Sequence, residues 1–199
     1  MNLPNKLTML RLILSVVLII LLLFPFYSVN IIFPTYIFND AVIIDSKYII
    51  AGIIFIIASV TDFLDGYFAR KYNIITNFGK FLDAIADKVL VNSCLVILSA
   101  HGFINPIIPV LIISRDIVVD SIRMIAAKSG KVIAAGGVGK LKTACLMIGI
   151  VLTMFYNIPF ELWNIDVANV LLVIATVLSI YSGVGYYYAN KKSLLMEQK

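Results

Sequence analysis

The 199-residue chain is 61% hydrophobic and 14% charged, with a mean hydropathy of +1.02. Soluble domains average about 45–50% apolar and about 25% charged residues. A water-soluble globule, intrinsic disorder and a collagen-like chain are therefore excluded, leaving one integral membrane domain over residues 1–199. The net charge of +5 would raise nucleic acid as a partner for a soluble chain, but here it follows membrane topology instead.

In chain order, six stretches read as spanning helices, which makes the expected fold all-α and polytopic. They run over about 7–27, from 48 into the polar sequence near Asp62, and over about 81–100, 105–127, 141–156 and 167–189. Turn-rich breaks separate them at Phe24-Pro25, Phe33-Pro34, Asn105-Pro106, Gly136-Gly137 and Ile158-Pro159. Lys6, Arg11 and the apolar run after them imitate a secretory signal. The Phe24-Pro25-Phe26-Tyr27 sequence offers no small-residue cleavage site, so the first span is expected to be retained. Six spans put both termini on one side. That side collects fourteen Lys and Arg residues, whereas the opposite loops hold only Lys47, and Arg115 lies within a span. Both termini are thus expected in the cytoplasm, with the chain in the cell membrane. Cys94 and Cys145 sit in apolar runs and read as small buried hydrophobes. His101 stands in an outer loop, away from the chemistry. The Tyr186-Tyr187-Tyr188 run reads as an interfacial aromatic belt.

The informative stretch is SVTDFLDGYFARKYNIITNFGKFLDAIADKVL, residues 59–90. Asp62 and Asp65 are spaced i,i+3, and Asp83 and Asp87 i,i+4, so each pair shares a helix face. Ionisable groups that continue apolar runs are costly in a membrane and mark function. A hairpin turning over residues 71–78 would bring the two pairs together. Converging carboxylates repel unless cations hold them. Oxygen ligands without His or Cys favour Mg²⁺, Mn²⁺ or Ca²⁺ over zinc, and a pair of such ions suits displacement at phosphorus. Gly66 and Ala69 leave room beside Asp62 for a ligand or a close helix, and Gly79 lies one turn before Asp83. Arg70 has the planar fork to clamp a phosphate. The plainer reading makes the aspartates solvated helix-end residues paired with nearby lysines and arginines.

The pattern Asp62-x2-Asp65-Gly66-x2-Ala69-Arg70-x8-Gly79-x3-Asp83-x3-Asp87 resembles the signature of the CDP-alcohol phosphotransferase family, with every gap matching. The resemblance implies a six-helix membrane fold, usually a homodimer, with its site open to the cytoplasm. It implies that Asp62, Asp65 and Asp83 bind two divalent metals, Mg²⁺ or Mn²⁺. Asp87 would be a further metal contact or the general base. Asp62, Gly66, Ala69, Arg70 and Gly79 would form the CDP-binding surface. Many members carry Pro after the third aspartate, where this chain has Ala84.

The signature does not name the acceptor alcohol. The start Pro4-Asn5-Lys6-Leu7-Thr8-Met9-Leu10-Arg11 is similar to that of family members that use glycerol 3-phosphate, so Asn5, Thr8 and Arg11 are candidate substrate contacts. A helix cap and a cytoplasmic anchor are the simpler role for the same residues. In the fourth span, Asp116, Asp120 and Arg123 recur at i, i+4 and i+7 and are expected to pair along one helix face. The neighbouring Arg115 needs an anion. Gly136-Gly137-Val138-Gly139-Lys140-Leu141-Lys142-Thr143 is not a P-loop, because Leu141 follows Lys140 and position 134 is Ala. A Gly-rich turn feeding a helix with two lysines still suits an anion. This segment resembles the same branch of the family, with Thr143 a candidate contact. Arg115, Arg123, Lys140 and Lys142 thus form a second basic group, read as the site for an acceptor's own phosphate. The expected reaction moves the phosphatidyl group of CDP-diacylglycerol to glycerol 3-phosphate. Serine, inositol phosphate and phosphatidylglycerol are the competing acceptors. A divalent-cation transporter and a non-catalytic membrane protein are the readings from other classes.

Overall fold

The computed structural model describes residues 3–38, 42–72, 77–128 and 137–196. Six long α-helices are found there: α1 (Leu3–Leu23), α2 (Ser46–Lys71), α3 (Asn77–Ala100), α4 (Ile107–Lys128), α5 (Gly137–Met154) and α6 (Val167–Met196). Short 3-10 turns lie at Phe26–Val29 and Phe160–Trp163. The expected all-α fold needs one correction. Thr35–Phe38 (β1) pairs antiparallel with Val42–Asp45 (β2), Thr35 opposite Asp45 and Phe38 opposite Val42. The segment is rich in β-branched and aromatic residues, and it precedes the membrane-capable part of α2. A sheet edge is tolerable only outside the hydrocarbon, so the hairpin belongs to the aqueous rim.

Four helical segments are long and apolar enough to cross a membrane among the described residues: Pro4–Leu23, Ser46–Ala69, Gly137–Met154 and Val167–Ala189. Their charge load separates α3 and α4 from the rest. Every 18-residue window of α3 contains Asp83, Asp87 and Lys88, and every such window of α4 contains Arg115, Asp116, Asp120 and Arg123. In α2 the charges gather at the two ends, whereas in α3 and α4 they fall within the stretch that would have to span.

Three helices begin on polar caps. Asp45 accepts from the Lys47 amide (2.8 Å), Asn105 from the Ile107 amide (3.0 Å) and Asp166 from the Asn169 amide (3.0 Å). Each satisfies an N–H that the first helical turn leaves open. Lys47, in the first turn of α2, is 9% exposed and directs its ammonium to the Leu22 carbonyl (3.4 Å) at the end of α1. A cation at a helix C-terminus meets the negative end of the dipole, so this lysine has a structural use that topology statistics do not reveal.

The core is assembled from small and branched residues at helical spacing. Ala51, Phe55 and Ala58 of α2 meet Leu18 and Leu22 of α1 and Leu90, Cys94 and Leu98 of α3 within one buried cluster. Both cysteines are free; Cys94 is fully buried and Cys145 is half-buried. Helix α1 packs against α2 and α3, while α6 packs against α5 and α4. Gly149 lets α5 and α6 close up, because a Cβ there would lie 2.9 Å from Leu172. Large apolar side chains such as Ile13, Ile20, Val170 and Val177 face outward, as lipid contact requires.

Where α2 begins and α3 ends, the Tyr48 hydroxyl and His101 Nδ1 are 3.0 Å apart, and Tyr48 stacks edge-on with Phe103 and Tyr156. Partial burial, and secondarily the Lys47 ammonium, lowers the His101 pKa from its ordinary value. The folded chain therefore resists protonation of His101, and this contribution to stability falls as pH drops below about 6.5. His101→Gln should flatten the loss of thermal stability between pH 7 and 5. An identical pH dependence in the variant would assign that loss to other groups.

Candidate active site and metal centre

The spacing of the carboxylates becomes geometry where α1, α2 and α3 meet. Asp62 and Asp65 stand one turn apart on α2, and Asp83 comes from α3. Oxygens from all three lie within 4.8 Å of one another. The Asp65 residue is 5% exposed, while the Asp62 and Asp83 side chains are 37% and 52% exposed. The site is thus walled on the Asp65 side and open on the Asp83 side. Asp87 lies one turn beyond Asp83 and outside this trio, in the field of Arg11, Asp83, Lys142 and Asp116.

Helix α1 supplies what the carboxylates need from a partner. Thr8 donates its hydroxyl to Asp65 (2.9 Å), with the Pro4 carbonyl as a second acceptor (3.1 Å). Arg11, completely buried, pairs with both Asp62 and Asp83 and reaches the Asp83 carbonyl (3.3 Å). Its Nε has no hydrogen-bond partner among the described residues. The pairing is a matter of register. Antiparallel helices set Thr8 against Asp65 and Arg11 against Asp62, both pairs spaced i,i+3. Thr8 and Arg11, expected as substrate contacts or a helix anchor, touch the acidic trio. Asn5 is buried on the same helix.

Three carboxylates against one guanidinium leave a net negative site built from hard oxygen donors alone. That donor set fits a divalent cation such as Mg²⁺ or Mn²⁺, and nothing in it favours zinc. Arg11→Met should lower thermal stability by about 1–3 kcal/mol, because buried charge pairs are lost. Divalent cations should then restore more stability to the variant than they add to the parent. Equal metal-induced shifts in melting temperature would argue against Arg11 as the trio's internal counter-charge.

The CDP-side candidates fall beside this trio. Gly66 and Ala69 on α2 and Gly79 on α3 are half-buried. The Arg70 side chain lies outside the described residues. Ala84, at the position where Pro is common, sits within an unbroken α3 and removes no carboxylate.

The second basic group is only partly gathered. Lys142 is 7% exposed and holds Asp116 through both carboxylate oxygens (2.8 and 2.9 Å). Arg115 donates to Asp116 (2.9 Å), to the Ser179 carbonyl (2.8 Å) and to the Ser182 hydroxyl (2.5 Å). Arg123 is exposed and bonds the Tyr186 hydroxyl (2.9 Å), its guanidinium 5.1 Å from the ring centre. Lys140 is exposed on the first turn of α5. Thr143, also exposed, bonds back to the Gly139 carbonyl (3.1 Å), and Gly136 lies outside the described residues. The expected pairing of Asp116, Asp120 and Arg123 along α4 is corrected. Asp120 pairs with Lys88 of α3, Asp116 with Lys142 of α5, and Arg123 with α6. Cross-helix partners win because they satisfy charges on neighbouring elements, which an in-helix ladder leaves alone. Sequence reasoning missed Ser179, Ser182 and Gly183, although small and polar residues at i, i+3 and i+4 in an apolar span signal a helix contact.

Comparison with known proteins agrees with this geometry. A family model described as CDP-alcohol phosphatidyltransferase matches residues 1–181. A Bacillus subtilis (strain 168) protein is 37% identical over 193 residues, covering 97% of each chain. A Haemophilus influenzae relative is 37% identical over 199 residues, covering 98% of this chain and 96% of its own. A Mycoplasma pneumoniae relative is 36% identical over 168 residues, covering 84% and 74%. All three relatives are named CDP-diacylglycerol–glycerol-3-phosphate 3-phosphatidyltransferase. With its aspartate signature intact and nearly its whole length matched, this chain belongs to the CDP-alcohol phosphatidyltransferase family.

Proposed function

We propose that the protein transfers the phosphatidyl group of CDP-diacylglycerol to glycerol 3-phosphate, giving phosphatidylglycerophosphate and CMP. The observation that carries this reading is the trio Asp62, Asp65 and Asp83, drawn from two helices of a membrane-capable chain and gathered within 4.8 Å. Near-full-length relatives that share one name support the choice of acceptor. All six long helices cross the cytoplasmic membrane in this reading, with both termini inside and the charged parts of α3 and α4 at the cytoplasmic face. The working unit is a homodimer.

Asp62, Asp65 and Asp83 would hold two divalent ions, Mg²⁺ or Mn²⁺, which neutralise the donor's pyrophosphate and the departing CMP. Gly66, Ala69, Arg70 and Gly79 border the cytidine diphosphate. The acyl chains stay in lipid along an apolar groove of about 350 Å³ between α2 and α5, lined by Ile56, Val60, Phe63, Met147, Ile148 and Leu152. Lys142, linked to Arg115 through Asp116, supplies positive charge for the acceptor's phosphate, with Lys140, Arg123 and Thr143 as further candidate contacts. Asp87 takes the proton of the attacking hydroxyl. The hydroxyl oxygen forms a bond to the phosphorus bearing the diacylglycerol, and the bond from that phosphorus to CMP breaks. CMP leaves with the electron pair. Holding both substrates in line supplies most of the acceleration.

CMP release by purified protein in mixed micelles tests the proposal. CDP-diacylglycerol and Mg²⁺ or Mn²⁺ are supplied with glycerol 3-phosphate, serine, inositol 1-phosphate or phosphatidylglycerol. Release specific to glycerol 3-phosphate is the expected result. Release with another acceptor alone would keep the chemistry and overturn the acceptor. Folded, metal-supplied protein that releases CMP with none of them would overturn the enzyme reading.

A further inference from the structure

We infer that Arg115 and Asp116 are positioning residues that lock Lys142 against α6, so that Arg115 serves the acceptor's phosphate through Asp116 and Lys142. The inference rests on the functional reading above and assigns α6 a part in acceptor selection.

Every nitrogen of the Arg115 guanidinium is engaged inside the protein. Its Nε, NH1 and NH2 each have an acceptor, respectively the Ser179 carbonyl, the Asp116 carboxylate and the Ser182 hydroxyl. The backbone is shaped for this arrangement. A Cβ at Gly183 would come within 2.9 Å of Arg115 Cγ and 3.2 Å of its Nε, so the glycine is what lets the side chain lie across α6. The planar fork ties two serines on α6 to one oxygen of Asp116, and a lysine cannot reproduce that span. The same oxygen of Asp116, together with its partner oxygen, grips the Lys142 ammonium. A chain of contacts therefore runs from α6 through α4 to a buried ammonium on α5. A flexible four-carbon lysine held this way stays in one place; freed, it samples several rotamers and binds an anion less well.

The test is a double-mutant cycle on kcat and on the two KM values, with glycerol 3-phosphate and CDP-diacylglycerol as the varied substrates. Arg115→Gln and Asp116→Asn should each raise the KM for glycerol 3-phosphate about tenfold, as lost bonds to a charged group do, with the KM for CDP-diacylglycerol within about twofold. The double variant should be no worse than about the weaker single variant, because both changes break one chain of contacts. Ser182→Ala, a mild change away from the substrates, should raise the acceptor KM about threefold. Arg115→Lys should behave like Arg115→Gln, since charge without the fork does not hold Asp116. Effects that multiply, a silent Ser182→Ala or a near-normal Arg115→Lys would each show Arg115 gripping the phosphate directly and would overturn the inference. If Arg115→Gln does not fold, Ser182→Ala and Arg115→Lys decide the matter. Parent protein that turns over glycerol 3-phosphate while the cycle is additive refutes this inference alone. Parent protein inactive with glycerol 3-phosphate refutes the functional reading instead.

Discussion

Asp83→Asn is expected to lower CMP release by about 10³-fold and to weaken Mn²⁺ binding in the same variant. Asp83 is the trio's sole contribution from α3; Asp62 and Asp65 both come from α2. Without its charge the site becomes a one-helix ligand pair, and Arg11 loses one of its two carboxylate partners. The amide keeps the shape and one carbonyl oxygen but carries no charge, so hydrogen bonding survives better than cation binding. Calorimetric titration with Mn²⁺ reads the affinity, and the micelle assay reads the rate. EDTA should silence the parent reversibly, with activity returning on added Mg²⁺ or Mn²⁺. An Asp83→Asn protein that binds Mn²⁺ and turns over normally would remove the trio from the mechanism.

Much of this site was legible before any coordinates. Charged residues inside an apolar chain are conspicuous, and their i,i+3 and i,i+4 spacings allow only one face of each helix. The convergence of α2 and α3 followed from a short connection between two helices. What stayed hidden was the partner of each charge, because partners are set by helix register and sequence spacing does not encode which helices touch. Arg11 shows the difference. It reads as a cytoplasmic-edge anchor by topology, yet it is completely buried against Asp62 and Asp83. Its i,i+3 relation to Thr8 mirrors that of Asp65 to Asp62, and the match identifies the register only once α1 and α2 are known to be neighbours. Asp120 shows the reverse. An in-helix partner was available at Arg123, but Lys88 on α3 takes it. The β1–β2 hairpin is hidden for a third reason. Thr35–Phe38 and Val42–Asp45 are apolar enough to pass unnoticed in a hydrophobic chain, where strand alternation has little polar contrast to show against.

Asp87→Asn is expected to behave differently from Asp83→Asn, and the contrast assigns the two roles. Asp87 lies outside the trio, so the variant should bind Mn²⁺ and CDP-diacylglycerol with affinities close to the parent's. Turnover should nevertheless fall by about 10²–10⁴-fold, the range removed with a general base. Its surroundings suit a proton acceptor that works beside an anionic substrate. Asp83 lies one turn before it on α3, and Arg11 offsets part of the trio's charge. An acceptor whose phosphate sits at Lys142 would present its hydroxyl between that ammonium and the metal-binding carboxylates, within reach of Asp87. The pH profile separates base catalysis from ligand loss. In the parent, the rate should rise with pH through the ionisation of the acceptor-activating carboxylate, and in Asp87→Asn that limb should disappear while metal affinity persists. Near-normal turnover in Asp87→Asn would end the base assignment. A collapse of Mn²⁺ binding equal to that of Asp83→Asn would make Asp87 a fourth metal ligand and leave proton transfer to solvent.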